Sequence, residues 1–380
     1  MFFVRILLIV LAALAGVAGA AIAGNDLPVT FGVEFSAIPS AEFGYRADQL
    51  HVQDVAETFA AITGGAIRQE GQFYYIATKL GQWAVHNDAG AVEASSPVLT
   101  LDGAKKTDEI AKIFEAFHLN GLVAEQFQGG QFGGGGHVHI GRNIFDEDPI
   151  LLRNFWVEMA NSPWLQTVFE ETGDEVSRHM RETLFFQSRD VENLFGLLDH
   201  NYRRGRFLTS EQFARFVPKG RLRSHAVNLS NLIHSNGVSI DGTPIEEPST
   251  PTIELRFPRA PTSPRQTIAR LEFFYKYLTH LKRTRTLIPL RSMTAEEVAY
   301  ERLPSVALVK YQKLVQLIDP ENIDLHLEEW TKKYAVPHAA SAGGALEIRL
   351  ATETPLQKMY EIKLRSQSQL DVLVSEADGS

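Results

Sequence analysis

Four glycines, Gly133 to Gly136, run directly into His137-Val138-His139-Ile140-Gly141, and this junction constrains the fold more than any other stretch of the chain. Residues two apart on a strand face the same side, so the two imidazoles share a face. Glycine lets the backbone turn sharply into a strand or approach another segment closely. The segment predicts a strand that presents two histidines to one place. That arrangement suits a metal ion, an anion or both, and it also occurs on ordinary polar strand faces.

Three other strand-like segments carry charge where a plain strand would show Thr, Val or Tyr. Glu34 lies in Phe31-Gly32-Val33-Glu34-Phe35, and Glu93 lies in Ala91-Val92-Glu93-Ala94, with Asp88 in the turn before it. Glu254 and Arg256 sit two apart in Thr252-Ile253-Glu254-Leu255-Arg256-Phe257. If these strands are neighbours, Glu34, Glu93, His137 and Glu254 converge on one face. Crowded carboxylates repel one another, and a divalent cation relieves that cost. Oxygen-dominated ligation favours Mg²⁺ or Mn²⁺, and an imidazole among the ligands shifts the balance toward Mn²⁺ or Zn²⁺. Arg256, beside Glu254, would hold an anionic group such as phosphate or carboxylate.

The rest of the chain supplies the frame. Val29–Phe35, Gln72–Thr78, Gln82–Val85, Val92–Leu99, His225–Leu232 and Thr252–Phe257 read as strands, with a turn at Asn87 to Gly90. Helical periodicity runs over Asp48–Ile62, with Leu50, Val52, Val55, Phe59 and Ile62 as the inward stripe. It recurs over Asp108–Leu119, Pro264–Leu287 and Pro304–Ile318, and the region from Asp148 to Phe216 is mainly helical. Ile268, Leu271, Phe274, Tyr275 and Leu278 are the expected core face of the longest helix. The irregular alternation predicts an α+β domain around a largely antiparallel sheet. No G-x-G-x-x-G turn argues for a doubly wound parallel one.

Residues 1–23 read as an export signal: Arg5 is the single charge, and an apolar run ends in Ala21-Ile22-Ala23. No later segment reaches the ~20 apolar residues that span a bilayer, so no stable membrane insertion is expected after signal removal. Export to a periplasm is the expectation, with one domain over 24–366 and a polar tail over 367–380. The absence of cysteine excludes disulfides and thiolate metal sites, and a net charge of −9 argues against general nucleic-acid binding.

Taken together, Gly32-Val33-Glu34-Phe35, Trp83 with Asp88, Val92-Glu93 through Ser96-Pro97-Val98-Leu99, Gly136-His137-Val138-His139-Ile140-Gly141 and Thr252-Ile253-Glu254-Leu255-Arg256 form a set that resembles the amidoligase family. That family belongs to the glutamine synthetase and glutamate–cysteine ligase superfamily. The resemblance implies a curved antiparallel sheet with helical insertions, ATP with Mg²⁺ (or Mn²⁺) as cofactors, and the joining of a carboxylate to an amine on an amino acid or peptide. It implies that Glu34, His137 and Glu254 hold one metal and that Asp88 and Glu93 hold a second. It further implies that His139 lies near the ATP phosphates and that Arg256 is the catalytic arginine at the transferred phosphoryl group. The family's first strand reads Glu-x-Glu, whereas Ser36 stands here at the second position, which removes one ligand from the second metal site.

From Asn201 to His225 there are seven basic residues, Arg203, Arg204, Arg206, Arg215, Lys219, Arg221 and Arg223, against one acid, Glu211. This stretch reads either as a solvated face or as an anion cradle, with Arg221 and Arg223 as candidate nucleotide contacts. Asn228 and Asn231 are candidate polar contacts after it, and His86 reads as a surface histidine. The leading expectation is an ATP- and Mg²⁺-dependent carbon–nitrogen ligase. The alternatives are an exported metal- and anion-binding protein without turnover, and a metal-dependent amide hydrolase, although no HExxH helix is present.

Overall fold

The computed structural model describes residues 29–39, 47–88, 90–123, 136–169, 189–217, 227–234 and 251–327. The expected export signal over 1–23, Gly133 to Gly135, Lys219, Arg221, Arg223 and the expected polar tail over 367–380 lie outside the described residues.

β1 (Thr30–Pro39) organises the sheet. Phe31, Val33, Phe35 and Ala37 are buried on one side of it, so Thr30, Gly32, Glu34 and Ser36 face the other. β5 (Ala91–Ser95) pairs with one edge of β1 and β8 (Val138–Gly141) with the other. Beyond β5 lie β4 (Gln82–Asp88), β3 (Phe73–Ala77) and β2 (Ala66–Glu70). Beyond β8 lie β10 (Thr252–Leu255) and then β9 (Val227–Asn228). The short β6 (Leu99–Thr100) and β7 (Leu122–Val123) also pair with β1. Among the described residues every pairing is antiparallel and the sheet stays open.

Among the described residues the helices between strands 1 and 9 are α1 (Gln49–Thr63), α2 (Leu101–Lys106), α3 (Glu109–Leu119), α4 (Asn143–Asp146), α5 (Pro149–Asn161), α6 (Pro163–Phe169), α7 (Arg189–Tyr202) and α8 (Ser210–Phe216). Later come α9 (Ser230–His234), α10 (Pro264–Arg283), α11 (Ala295–Glu301) and α12 (Pro304–Ile318). No helix among the described residues is long and apolar enough to cross a membrane.

The core lies on the Phe31–Ala37 side of the sheet. α1 starts where the Asp48 side chain accepts from the amides of Leu50 and His51, and it stops at Gly64 in the left-handed conformation. Its Phe59 ring packs 5.1 Å from that of Trp83, and Phe35 packs 5.6 Å from Phe114 on α3. Each such aromatic contributes about 1.5–3 kcal/mol through burial. The indole of Trp83 donates to the buried Glu109 at 2.9 Å, and Thr78 and the Leu80 amide donate to the same carboxylate. One acid thus ties the β3–β4 hairpin to α3. A second aromatic cluster joins Phe169 on α6 to Phe273 and Phe274 on α10 and Tyr311 on α12, with ring centres 5.2–6.0 Å from Phe169.

Several expectations shift. Leu50 is 62% exposed rather than inward, because the buried stripe of α1 runs through Val52, Val55, Ala56, Phe59 and Ala60. Of the strand expected over His225–Leu232, the described part is strand at Val227–Asn228, and Ser230–His234 turns into helix instead. β4 continues through Asp88, which pairs with Ala91, so Asn87 and Asp88 belong to the strand rather than to the turn. On α10, Leu271, Phe274 and Leu278 are buried, whereas Ile268 and Tyr275 are half-buried at its flanks.

Candidate metal and anion site

The register brings the charged strand residues together. Gly32 pairs with His139, His139 with Glu254, and Glu254 with Asn228. The backbone amide of Glu34 donates to the His137 carbonyl at 3.0 Å, so His137 extends the same alternation just before β8. Glu34, His137, His139, Glu254 and Arg256 therefore share the face opposite the core.

Gly136 fixes the entry to that strand. Its amide donates to the Pro258 carbonyl at 2.9 Å, and a Cβ at this position would collide with the Arg259 carbonyl oxygen. The chain segment leaving β10 thereby sets where His137 begins. At the other end, a Cβ on Gly141 would run into the Thr30 hydroxyl. The glycines that flank the two histidines are required by close approach.

His137 Nδ1 contacts Glu34 Oε2 and lies 3.1 Å from Glu254 Oε1. His139 Nε2 lies 2.8 Å from Glu34 Oε1, and its Nδ1 lies 3.1 Å from the Thr252 hydroxyl. Glu254 also accepts from Arg256, and from Asn228 at 2.5 Å. Asn228 is held in turn by the amide and hydroxyl of Ser230, at 2.9 and 2.7 Å. Asn231 donates to the Thr252 hydroxyl at 3.4 Å.

Burial pushes the Glu34 carboxyl up, but hydrogen bonds and positive charge from His137 and His139 outweigh it and hold Glu34 well below the usual range. Glu254 is lowered in the same way, with burial opposed by His137 and Arg256. Burial disfavours the charged form of His137, yet its bonds to Glu254 and Glu34 prevail and raise it to about 9. A protonated imidazole is thus the counter-charge between the half-buried Glu34 and the buried Glu254.

The same place fits a cation. One ligand atom each from Glu34, His139 and Glu254 lies within 4.8 Å of the others, a spacing that one ion can bridge. Two carboxylate oxygens and one imidazole nitrogen suit Mg²⁺, Mn²⁺ or Zn²⁺. Thr252 orients the His139 ring from its far nitrogen, as ligating histidines require. Among the described residues this is the one group of three such side chains that meets the spacing. It contains His139, while His137 bridges the two carboxylates from the side.

Glu93 stands one strand away, opposite Ser36 and buried. Burial and the Glu34 charge push its carboxyl up to about 8. Its Oε1 lies 3.5 Å from His86 Nε2, and the His86 ring centre lies 4.7 Å from that of Phe73. His86 is therefore a half-buried neighbour of Glu93, not a surface histidine. Asp88 is exposed at the end of β4, and neither it nor Glu93 belongs to the three-ligand group. Arg203, Arg204 and Arg206 are exposed after α7, and Arg215 pairs with Glu211 on α8 at 3.0 Å.

A cavity of 440 Å³ opens beside the cluster, lined by Thr30, Gly32, Glu34, His139, Asn143, Asn231 and Thr252 along with Ser95 to Val98 and others. Thr252, Ser230 and Asn143 were missed by sequence reasoning. Thr252 was accessible to it, two residues before Glu254 on the same strand face. The other two were not, since only their contacts reveal them.

No family model matches the chain, and no curated protein matches it. Among solved structures the chain is similar to the ligase PafA, determined in complex with the prokaryotic ubiquitin-like protein Pup. The identity is 9% over 80% of this chain and 66% of that one, with a TM-score of 0.27. It is also similar to apo GmaS without ligand, at 12% identity over 80% of this chain and 71% of that one, with a TM-score of 0.26. Likeness at that level carries no argument about function, so the functional reading rests on the residues themselves.

Proposed function

We propose that this chain is a divalent-cation-dependent ligase of the glutamine synthetase-like fold, joining a carboxylate to an amine on an amino acid or peptide at the expense of ATP. The observation that carries the reading is the convergence of Glu34, His139 and Glu254 within ligand spacing of one another, with Arg256 on Glu254 and a cavity alongside. Glu34, His139 and Glu254 would hold a cation, which supplies positive charge to the nucleotide phosphates. Arg256 presents a planar fork to the phosphoryl group as the substrate carboxylate takes it from ATP and ADP departs. The amine nitrogen then attacks the acyl carbon, phosphate leaves, and the amide bond remains. Thr30, Asn143, Asn231 and Thr252 line the cavity with uncharged polar groups, suited to the neutral end of a nucleotide. The reading takes residues 1–23 as an export signal and locates the activity outside the cytoplasm.

One observation favours a second reading. Ser36 is buried opposite Glu93, where the resembling family carries a carboxylate, so a second metal held by Asp88 and Glu93 would lack that ligand. That departure fits a protein that binds metal and an acidic ligand without turnover. Phosphate release from ATP with Mg²⁺ or Mn²⁺, across a panel of acidic amino acids and amines, separates the two. The ligase reading expects release above background. It also expects Arg256→Lys to lose turnover, by about 2–4 kcal/mol of transition-state stabilisation, at nearly unchanged substrate affinity. Tight binding of an acidic ligand with no release would overturn the ligase and leave the binder.

A further inference from the structure

Among the described residues β2 ends the sheet on its hairpin side, and all five of its residues, Ala66 to Glu70, are exposed. An uncovered edge strand is a template for another strand, and the sequence of this edge specifies which one. We propose that a second copy of this chain docks here, β2 against β2, antiparallel about a two-fold axis through Gln69.

Charge selects the register. In a two-fold antiparallel pair, the residue on the axis faces its own copy. With Arg68 on the axis two guanidinium groups would oppose each other, which is unfavourable. With Gln69 on the axis, Arg68 faces the partner's Glu70, and Glu70 faces the partner's Arg68. Within one copy Arg68 already pairs with Glu70, and both side chains are more than half exposed. Alone, such a pair contributes little. Across the axis, four alternating charges interleave.

The apolar exposure of this side is compatible with the same register. Ile67 pairs with Ile76, which is fully buried beneath α1, yet Ile67 itself is 42% exposed. Leu50, in the first turn of α1, is 62% exposed, against the expectation that it faces inward. Gln49 donates to the Gln72 carbonyl at 3.4 Å, which pins that helical turn to the β2–β3 turn. With Gln69 on the axis, Ile67 faces the partner's Gly71, at the turn to which the first turn of α1 is pinned. Two five-residue strands form a small interface, so the dimer is reversible and dissociates on dilution.

Sedimentation velocity over a concentration series tests this. The unmutated protein is expected to rise from monomer to dimer mass. Arg68→Glu is expected to remain monomeric, with a small loss of melting temperature because the monomer itself loses the Arg68 contacts with Glu70 and the Tyr75 ring. The double variant Arg68→Glu with Glu70→Arg is expected to dimerise again, because the swapped charges still face each other across the axis. Gln69→Cys gives the chain its only thiol. Mild oxidation is expected to yield a disulfide dimer, because opposed residues sit about 5.5 Å apart between Cα atoms, within disulfide reach. Arg68→Cys, off the axis, is not expected to do so. A monomer at every concentration, a dimer that Arg68→Glu leaves intact, or a double variant that stays monomeric would overturn the proposal.

Discussion

Substituting Glu254 by glutamine keeps the volume of the side chain and removes its charge, and the hydrogen-bond pattern sets the cost. Oε1 receives His137 at 3.1 Å and Arg256, and Oε2 receives Asn228 at 2.5 Å. Glutamine has one acceptor oxygen and one amide nitrogen to offer these three donors. Its better orientation keeps the oxygen toward His137 and Arg256, which sets two amide groups against each other at Asn228. Asn228 cannot turn over cheaply, because its oxygen already accepts from the amide and hydroxyl of Ser230. One bond is lost, a buried donor is left unmet, and two bonds drop from charged to neutral acceptors, for a total of about 3–5 kcal/mol. Asn228→Asp alone sets two carboxylates together and is also destabilising. The double variant Glu254→Gln with Asn228→Asp restores a donor facing an acceptor, with the roles exchanged, while the carboxylate introduced at position 228 still accepts from Ser230. The two costs are therefore expected to fall short of their sum by at least about 1 kcal/mol. Urea denaturation in EDTA, followed by tryptophan fluorescence, measures all four proteins. A Glu254→Gln variant within about 0.5 kcal/mol of the unmutated protein, or strictly additive costs, would refute the reasoning.

Three further outcomes follow from the same geometry. Mn²⁺ or Mg²⁺ at a hundredfold excess over Kd is expected to stabilise the unmutated protein by about 2.7 kcal/mol over EDTA, and Glu34→Ala or His139→Ala to abolish the gain; equal melting with and without metal counts against the site. Ser36→Glu is expected to tighten binding of a second cation in calorimetry while lowering metal-free stability, since it puts a carboxylate at a buried position on the same strand face as the ionised Glu34; two equally tight cations in the unmutated protein would show that the serine removes nothing. Gly136→Ala, which drives a Cβ into the Arg259 carbonyl, is expected to cost about 1–3 kcal/mol and to weaken the metal response, because the start of the strand that carries His139, and the His137 bridge between Glu34 and Glu254, shift with it; a variant with unmutated melting and metal response would contradict that account.

What was legible in the sequence was the face each charged residue occupies. A period of two places Glu34 opposite the Phe31 and Val33 side chains, pairs His137 with His139, and pairs Glu254 with Arg256. The strand order was not legible from pattern alone. Nothing local to residues 137–141 or 252–256 says that β8 lies between β1 and β10, because that order arises from contacts more than a hundred residues apart. Short elements were missed for a different reason. β2 has no buried side chain to produce an alternation, and α2 spans six residues with Gly103 inside it. Its start is set by the Thr100 hydroxyl accepting from the Gly103 amide, a contact that hydrophobic periodicity does not register.

The same long-range order makes the site and the fold depend on each other. Glu34 comes from the strand that pairs on both edges, His139 from its neighbour and Glu254 from the strand beyond, while Asn228 closes the row from β9. No two of these four strands are joined by a short turn, so the carboxylates meet only when the middle of the sheet has assembled. Their mutual repulsion then opposes the last pairing steps, and the His137 bridge between Glu34 and Glu254 offsets it. A cation held by Glu34, His139 and Glu254 would act on those pairings directly, since one ion would bind β1, β8 and β10 at once. Metal binding should therefore be read most clearly as stability of the central strands, and Glu93, on the hairpin side of β1 and outside the three-ligand group, should respond less.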